Sequence, residues 1–180
     1  MESIRLFSIG KTFLLPACIT FLCAMSLSPH EAAGDTSQET FPELGEVKEI
    51  IGLGRPEGVV FLVMDHDTEA YEWVLPRLER YVTILRAEWP DLPLAVLSHG
   101  DEIFSLLAKN ADEYAGFQHR IRKLVTDEEI TFQVCGAFAA LSGVDESEFA
   151  DFVEVIPSAP ARISDYRMVG YELVHLELTW

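Results

Sequence analysis

The residue with the clearest chemical potential in this chain is a cysteine at the end of a β-branched and aromatic run. In EEITFQVCGAF, Glu128–Phe138, the run ends on Cys135 and small residues follow at once: Gly136, Ala137, Ala139 and Ala140. A thiol just ahead of a helix start lies near unpaired backbone N–H groups and the positive end of the helix dipole, which favours the nucleophilic thiolate. Gly136 and Ala137 would supply those amides and leave the sulfur approachable. The same pattern suits a cysteine packed inert beneath a helix, and the residues alone leave both readings open.

Other side chains could assist. SHG, Ser98–Gly100, offers His99 as a base or proton donor beside Cys135 if the second and third strands are neighbours, and His66 takes that place if the first strand flanks the third. Ser158 closes the fourth strand-like run, after Pro157. Asp65, His66 and Asp67 are metal ligands by type, but adjacent residues in a turn point apart and no second cluster stands at ligand spacing. No metal or other cofactor is expected. GLGRPEG, Gly52–Gly58, precedes a strand rather than following one, so it fails the context of a phosphate-binding loop. No serine-hydrolase elbow is present, and His119 and His175 read as structural or surface residues within a helix and a strand.

The elements that must position these groups alternate. VVFLVM, Val59–Met64, reads as a strand buried on both faces. A helix follows, with Tyr71, Val74, Leu75, Leu78, Tyr81, Val82, Leu85 and Trp89 on one face, Asp67 or Thr68 as N-cap, and Pro76 kinking it or ending an irregular first turn. Leu94–Gly100 is the second strand. A short helix from Asp101 to about Lys109 follows, then one over Ala111–Val125 that carries Tyr114, Phe117, Ile121 and Leu124 inward. The third strand, Ile130–Cys135, leads to a short helix, Gly136–Leu141, and a helical turn in DESEFADF; a fourth strand from Val153, a helix over Pro160–Val169 and a fifth strand, YELVHLEL, complete the series. Strands alternating with helices imply right-handed parallel crossovers and hence a three-layer α/β/α fold, with a mostly parallel sheet of about five strands. In such a sheet all strand ends gather along one edge, where ligands of open α/β sheets bind.

The chain has 180 residues and 49% hydrophobic composition, enough for one domain with a real core. Arg5 and Lys11 precede the apolar run Thr12–Ser28, after which the chain turns polar and small, the layout of a secretory signal peptide with a small-residue cleavage site at Ala24–Ser26. Residues 1–26 are therefore read as a signal peptide, 27–57 as a linker and 58–180 as the α/β domain. Localisation would be periplasmic or secreted, with a retained membrane anchor as the alternative. Cleavage removes Cys18 and Cys23, leaving Cys135 as the single thiol, unable to form an internal disulfide. The net charge is −17, and removing residues 1–34 subtracts Arg5 and Lys11 along with Glu2 and Glu31, so it stays at −17. Such a surface repels phosphate backbones and excludes nucleic acid as a partner.

Four stretches together resemble the DsrE/DsrF-like family of small α/β proteins: VVFLVMDHDTEAYEWVLPRLERYV, LAVLSHGDEI, ITFQVCGAFAAL and VEVIPSAPARISDYRMVGYELVHL. The shared marks are His99-Gly100, Cys135-Gly136, Pro157-Ser158 and Gly170-Tyr171, across Val59–Leu178. The chain departs from the family at Ala159, where glycine is common, and at Arg167, where glutamine is. The resemblance implies sulfur handling: a carrier or sulfurtransferase-like protein that holds sulfane sulfur as a persulfide on Cys135, with His99 assisting and a homo-oligomeric assembly. The sulfane-sulfur donor and the acceptor protein stay unidentified, and export argues against a transfer-RNA relay. The alternative is a non-catalytic small-ligand-binding or assembly module of the same fold with a buried cysteine.

Overall fold

The computed structural model describes residues 41–176. The signal-peptide reading, with Cys18 and Cys23, lies outside the described residues, as do the first part of the linker and the last residues of YELVHLEL. The five strands are β1 (Gly58–Val63), β2 (Leu94–Ser98), β3 (Thr131–Cys135), β4 (Glu154–Ile156) and β5 (Tyr171–Leu176). The helices are α1 (Leu44–Leu53), α2 (Tyr71–Glu88), α3 (Ala115–Asp127), α4 (Gly136–Leu141) and α5 (Ala159–Met168). All strand pairs are parallel, and the sheet order is β4-β3-β2-β1-β5. The three-layer α/β/α architecture read from the sequence is therefore the observed one.

Alternation along each strand divides the core in two. Val59, Phe61 and Val63 of β1, Val96 of β2, and Phe132 and Val134 of β3 face a larger layer that includes α2 and α3. Val60, Leu62, Ala95, Leu97, Cys135 and Ile156 face the other way, against α5 through Ala159, Ile163 and Tyr166. Burial of about 1.5–3 kcal/mol per large apolar side chain makes the first layer the main source of stability. A polar chain fixes α5 over β3: the Tyr166 hydroxyl donates to Gln133 Oε1 at 3.0 Å, and Gln133 Nε2 donates to Glu154 Oε2 at 2.8 Å.

Local expectations differ at several places, each for a physical reason. The stretch read as linker contains α1, whose Val47 and Ile50 enter the core. Their spacing is helical, but the neighbouring glycines and charges mask it. Asp67 and Thr68 do not cap α2, which starts at Tyr71 after Ala70. Instead Asp65 Oδ1 accepts from the Asp67 N–H and Asp67 Oδ1 from the Glu69 N–H, so the carboxylates stabilise the preceding turns. Pro76 lies inside α2 at an exposed position, past its first turn. The helix expected from Asp101 is two 3₁₀ segments, Asp101–Leu106 and Ala108–Asn110.

Glu43 anchors α1. It is only 6% exposed, and its carboxylate accepts from the Tyr81 hydroxyl at 2.9 Å and from the Arg77 guanidinium at 3.1 Å. Removing a donor from a buried carboxylate costs about 1–3 kcal/mol. Tyr81→Phe is expected to lower stability by about that amount in chemical denaturation and to raise amide exchange in α1 ahead of the sheet. Unchanged α1 protection would show that Glu43 does not hold this helix down.

Candidate functional site

The C-terminal strand edge brings Cys135 and His99 together and leaves His66 apart. Ser98 pairs with Val134 in the β2–β3 register, so the next residues, His99 and Cys135, lie level and on the same face. β1 neighbours β2 and β5 and does not flank β3. The His66 side chain is 95% exposed, with Nδ1 at 3.9 Å from Asp101 Oδ2. Ser158 directly precedes α5, and its hydroxyl makes no capping bond.

Cys135 is 0% exposed. The amides expected to face its sulfur are engaged elsewhere or come from another helix. The Ala137 N–H donates to the Pro157 carbonyl at 3.2 Å, drawing the start of α4 toward the end of β4. The donor to Cys135 Sγ is the Ala159 N–H at 3.4 Å, from the first residue of α5. Gly136 is half-buried beside β4 and Ala137 is exposed.

His99 is half-buried, and its ring meets Phe138 edge-on with centroids 5.5 Å apart. Its Nδ1 is buried without a hydrogen-bond partner. Burial pushes the imidazole pKa down, toward the neutral form at neutral pH. The ring borders a cavity of about 130 Å³, lined by Leu62, Val63, Met64, Leu97, Ala159 and Ile163 and by His175. The cavity therefore lies where β1, β2 and β5 end beneath α5, one residue from the sealed sulfur.

Glu102 holds this edge in shape, and the sequence reading passed over it. Its Oε1 accepts from the His99 and Gly100 N–H groups, both at 3.0 Å, and Oε2 from the Asp65 N–H at 2.9 Å. One carboxylate thus joins the loops leaving β1 and β2. Gly100 is required for the approach, because a Cβ there would run into the Asp65 carbonyl oxygen and the Glu102 carboxylate. Tyr71 and Ser98 share a 2.7 Å hydroxyl contact beside it. The signal available in the sequence was a glycine two residues before a carboxylate at a strand end. Met64 and Ile163 also went unassigned, and His175, read as structural or surface, is an exposed residue of β5 that lines the cavity; the alternation of YELVHL places it on the face of Tyr171 and Leu173.

Among the described residues no group of three or more His, Cys, Asp or Glu could hold a metal ion. No family model matches the chain, and no curated protein matches it. Solved structures do. A protein of unknown function, MTH1491, from Methanobacterium thermoautotrophicum superposes with a TM-score of 0.52 at 18% identity, covering 66% of this chain and 97% of that one. BT1422 of Bacteroides thetaiotaomicron, also of unknown function, gives 0.48 at 13% identity, covering 67% and 95%. The ychN protein of E. coli gives 0.46 at 14%, covering 67% and 99%. The first likeness shows the class, a five-stranded parallel α/β fold, and no more than the fold.

Burial, working against its amide donors, pushes the Glu102 carboxyl from 4.5 up to about 7. The folded state therefore holds this proton more tightly than the unfolded chain does. The group's contribution to stability is complete below about pH 4.5 and is lost as pH rises through 7. Wild-type stability is expected to fall between pH 5 and 8 more steeply than that of Glu102→Gln, which cannot titrate. At pH 5 the variant starts about 1–3 kcal/mol lower, because its amide NH₂ opposes one of the backbone donors. Parallel pH profiles in denaturation experiments would exclude Glu102 as the source of the slope.

Proposed function

We propose that this chain is an exported DsrE/DsrF-like protein whose strand edge binds a small ligand beside His99, with Cys135 as a packed thiol. The contrast between these two edge residues carries the reading. Cys135 has no exposed surface and its sulfur already accepts the Ala159 N–H, so it lacks the access that a surface nucleophile needs. His99, level with it, is half-buried and borders the cavity. The family reading is supported by the four motif stretches and agrees with the fold class; export is supported by the layout of residues 1–26, and a homo-oligomer by the family resemblance.

One observation favours a second reading, the sulfur carrier. The Ala159 N–H aimed at Sγ would stabilise an electron-rich sulfur. In that role the Cys135 thiolate attacks a sulfur of a polysulfide. One S–S bond forms and one breaks, and the shortened polysulfide leaves with the electron pair. An acceptor thiolate would later take the sulfur and release the Cys135 thiolate. The start of α5 must lift from Sγ before attack, which ranks this reading second.

Intact mass and thiol labelling separate the two. The folded wild type is expected to gain no sulfur on Cys135 from polysulfide and to label there only after unfolding. A reducible gain of whole sulfur atoms on the folded wild type, missing from Cys135→Ser, would replace the binding module with the carrier.

A further inference from the structure

We propose that the buried chain Tyr71–Ser98–Glu102 is a proton-responsive switch, which reverses its direction when Glu102 takes up a proton and carries the change to the two loops that hold His66 and His99. The switch is independent of the binding and carrier readings above. Glu102 has no exposed surface, and among the described residues no Lys or Arg pairs with it. Neutral donors meet it instead: the Asp65, His99 and Gly100 N–H groups and the Ser98 hydroxyl. Together they fill the roughly four lone-pair sites of an ionised carboxylate. Burial therefore favours the neutral form while the donors favour the charged one, and a switch needs two forms so opposed.

A proton from solvent puts a donor where an acceptor stood, and one neighbour must yield. The amides are held by the backbone; the Ser98 hydroxyl can turn. It already lies 2.7 Å from the Tyr71 hydroxyl, in a buried contact where either oxygen can donate. With Glu102 ionised, Tyr71 donates to Ser98 and Ser98 to Glu102. With Glu102 protonated, the carboxyl O–H donates to Ser98, Ser98 donates to Tyr71, and the Tyr71 proton loses its acceptor. Amide bonds to an ionised carboxylate are shorter than bonds to a neutral one, so the backbone leaving β1 and β2 shifts as the charge comes and goes. The other titratable groups around Glu102 are placed differently. Asp65 Oδ1 is turned to the Asp67 N–H, His66 is largely exposed beside Asp101, burial holds the His99 imidazole toward its neutral form, and burial with the Glu102 charge keeps the Tyr71 hydroxyl protonated.

The test is an NMR pH titration of the full chain, read at the Asp65, His99 and Gly100 amides and at the Tyr71 Cζ carbon. All four signals are expected to move along one curve with its midpoint at about 7. Glu102→Gln should flatten that curve, and His66→Gln should leave it in place. Ser98→Ala keeps the titrating carboxyl and decides the matter even if Glu102→Gln fails to fold. It should raise the midpoint by about one pH unit, the worth of a hydrogen bond to a charged group, and cut the Tyr71 swing by half or more. Three results would overturn the switch: amides that stay flat in the wild type, a curve that survives Glu102→Gln and so belongs to a neighbouring histidine, or a Ser98→Ala variant whose midpoint and Tyr71 swing match the wild type.

Discussion

A carboxylate with no exposed surface must be met by donors, and Glu102 is met by the backbone amides of Asp65, His99 and Gly100. Those amides belong to the two loops that leave the central strands β1 and β2, so one side chain determines how the loops diverge. The Asp101 N–H closes the same knot on the Asp65 carbonyl at 2.7 Å, and the His99 N–H also reaches the Val63 carbonyl at 2.9 Å. With its backbone held in this way, the His99 ring has little choice but the face shared by Leu62, Leu97 and Cys135. The cavity is a consequence of that placement.

The same edge shows why a strand-end cysteine is an ambiguous signal. Cys135 satisfies the local pattern of an activated thiol, a strand followed at once by a short helix of small residues. Its surroundings are set instead by α5, whose first amide sits on the sulfur and whose Ala159 and Ile163 roof the neighbouring space. Ala159 lies at this contact and also lines the cavity. A residue distant in sequence decides whether the thiol is presented or enclosed.

Legibility followed range of interaction. The strands could be read because buried parallel strands are short, continuous apolar runs, and VVFLVM and LAVLS are such runs. The amphipathic face of α2 was equally plain. Its N-cap was misplaced by two or three residues because Asp67 and Thr68 carry the signature of caps, and Asp67 spends it on a turn. α1 stayed hidden because its partners, Arg77 and Tyr81, lie more than thirty positions away. Cys135 and His99 were visible as residue types at strand ends. Glu102 was not, since it acts on backbone amides, and the place of His175 at the cavity was not, since it depends on the position of β5.

The sequence by itself determined the alternation of strands and helices, the parallel sheet that alternation requires, and the gathering of Cys135, His99 and Ser158 at one edge. These follow from periodicity and chain direction, which act over a few residues. Tertiary structure alone decided the strand order that sets β2, and not β1, beside β3, and so selects His99 over His66. It also decided the enclosure of Cys135 and the orphaned nitrogen of His99. The physical reason is that burial and hydrogen-bond satisfaction belong to a residue's whole surroundings, and those are assembled from segments that only the folded chain brings into contact.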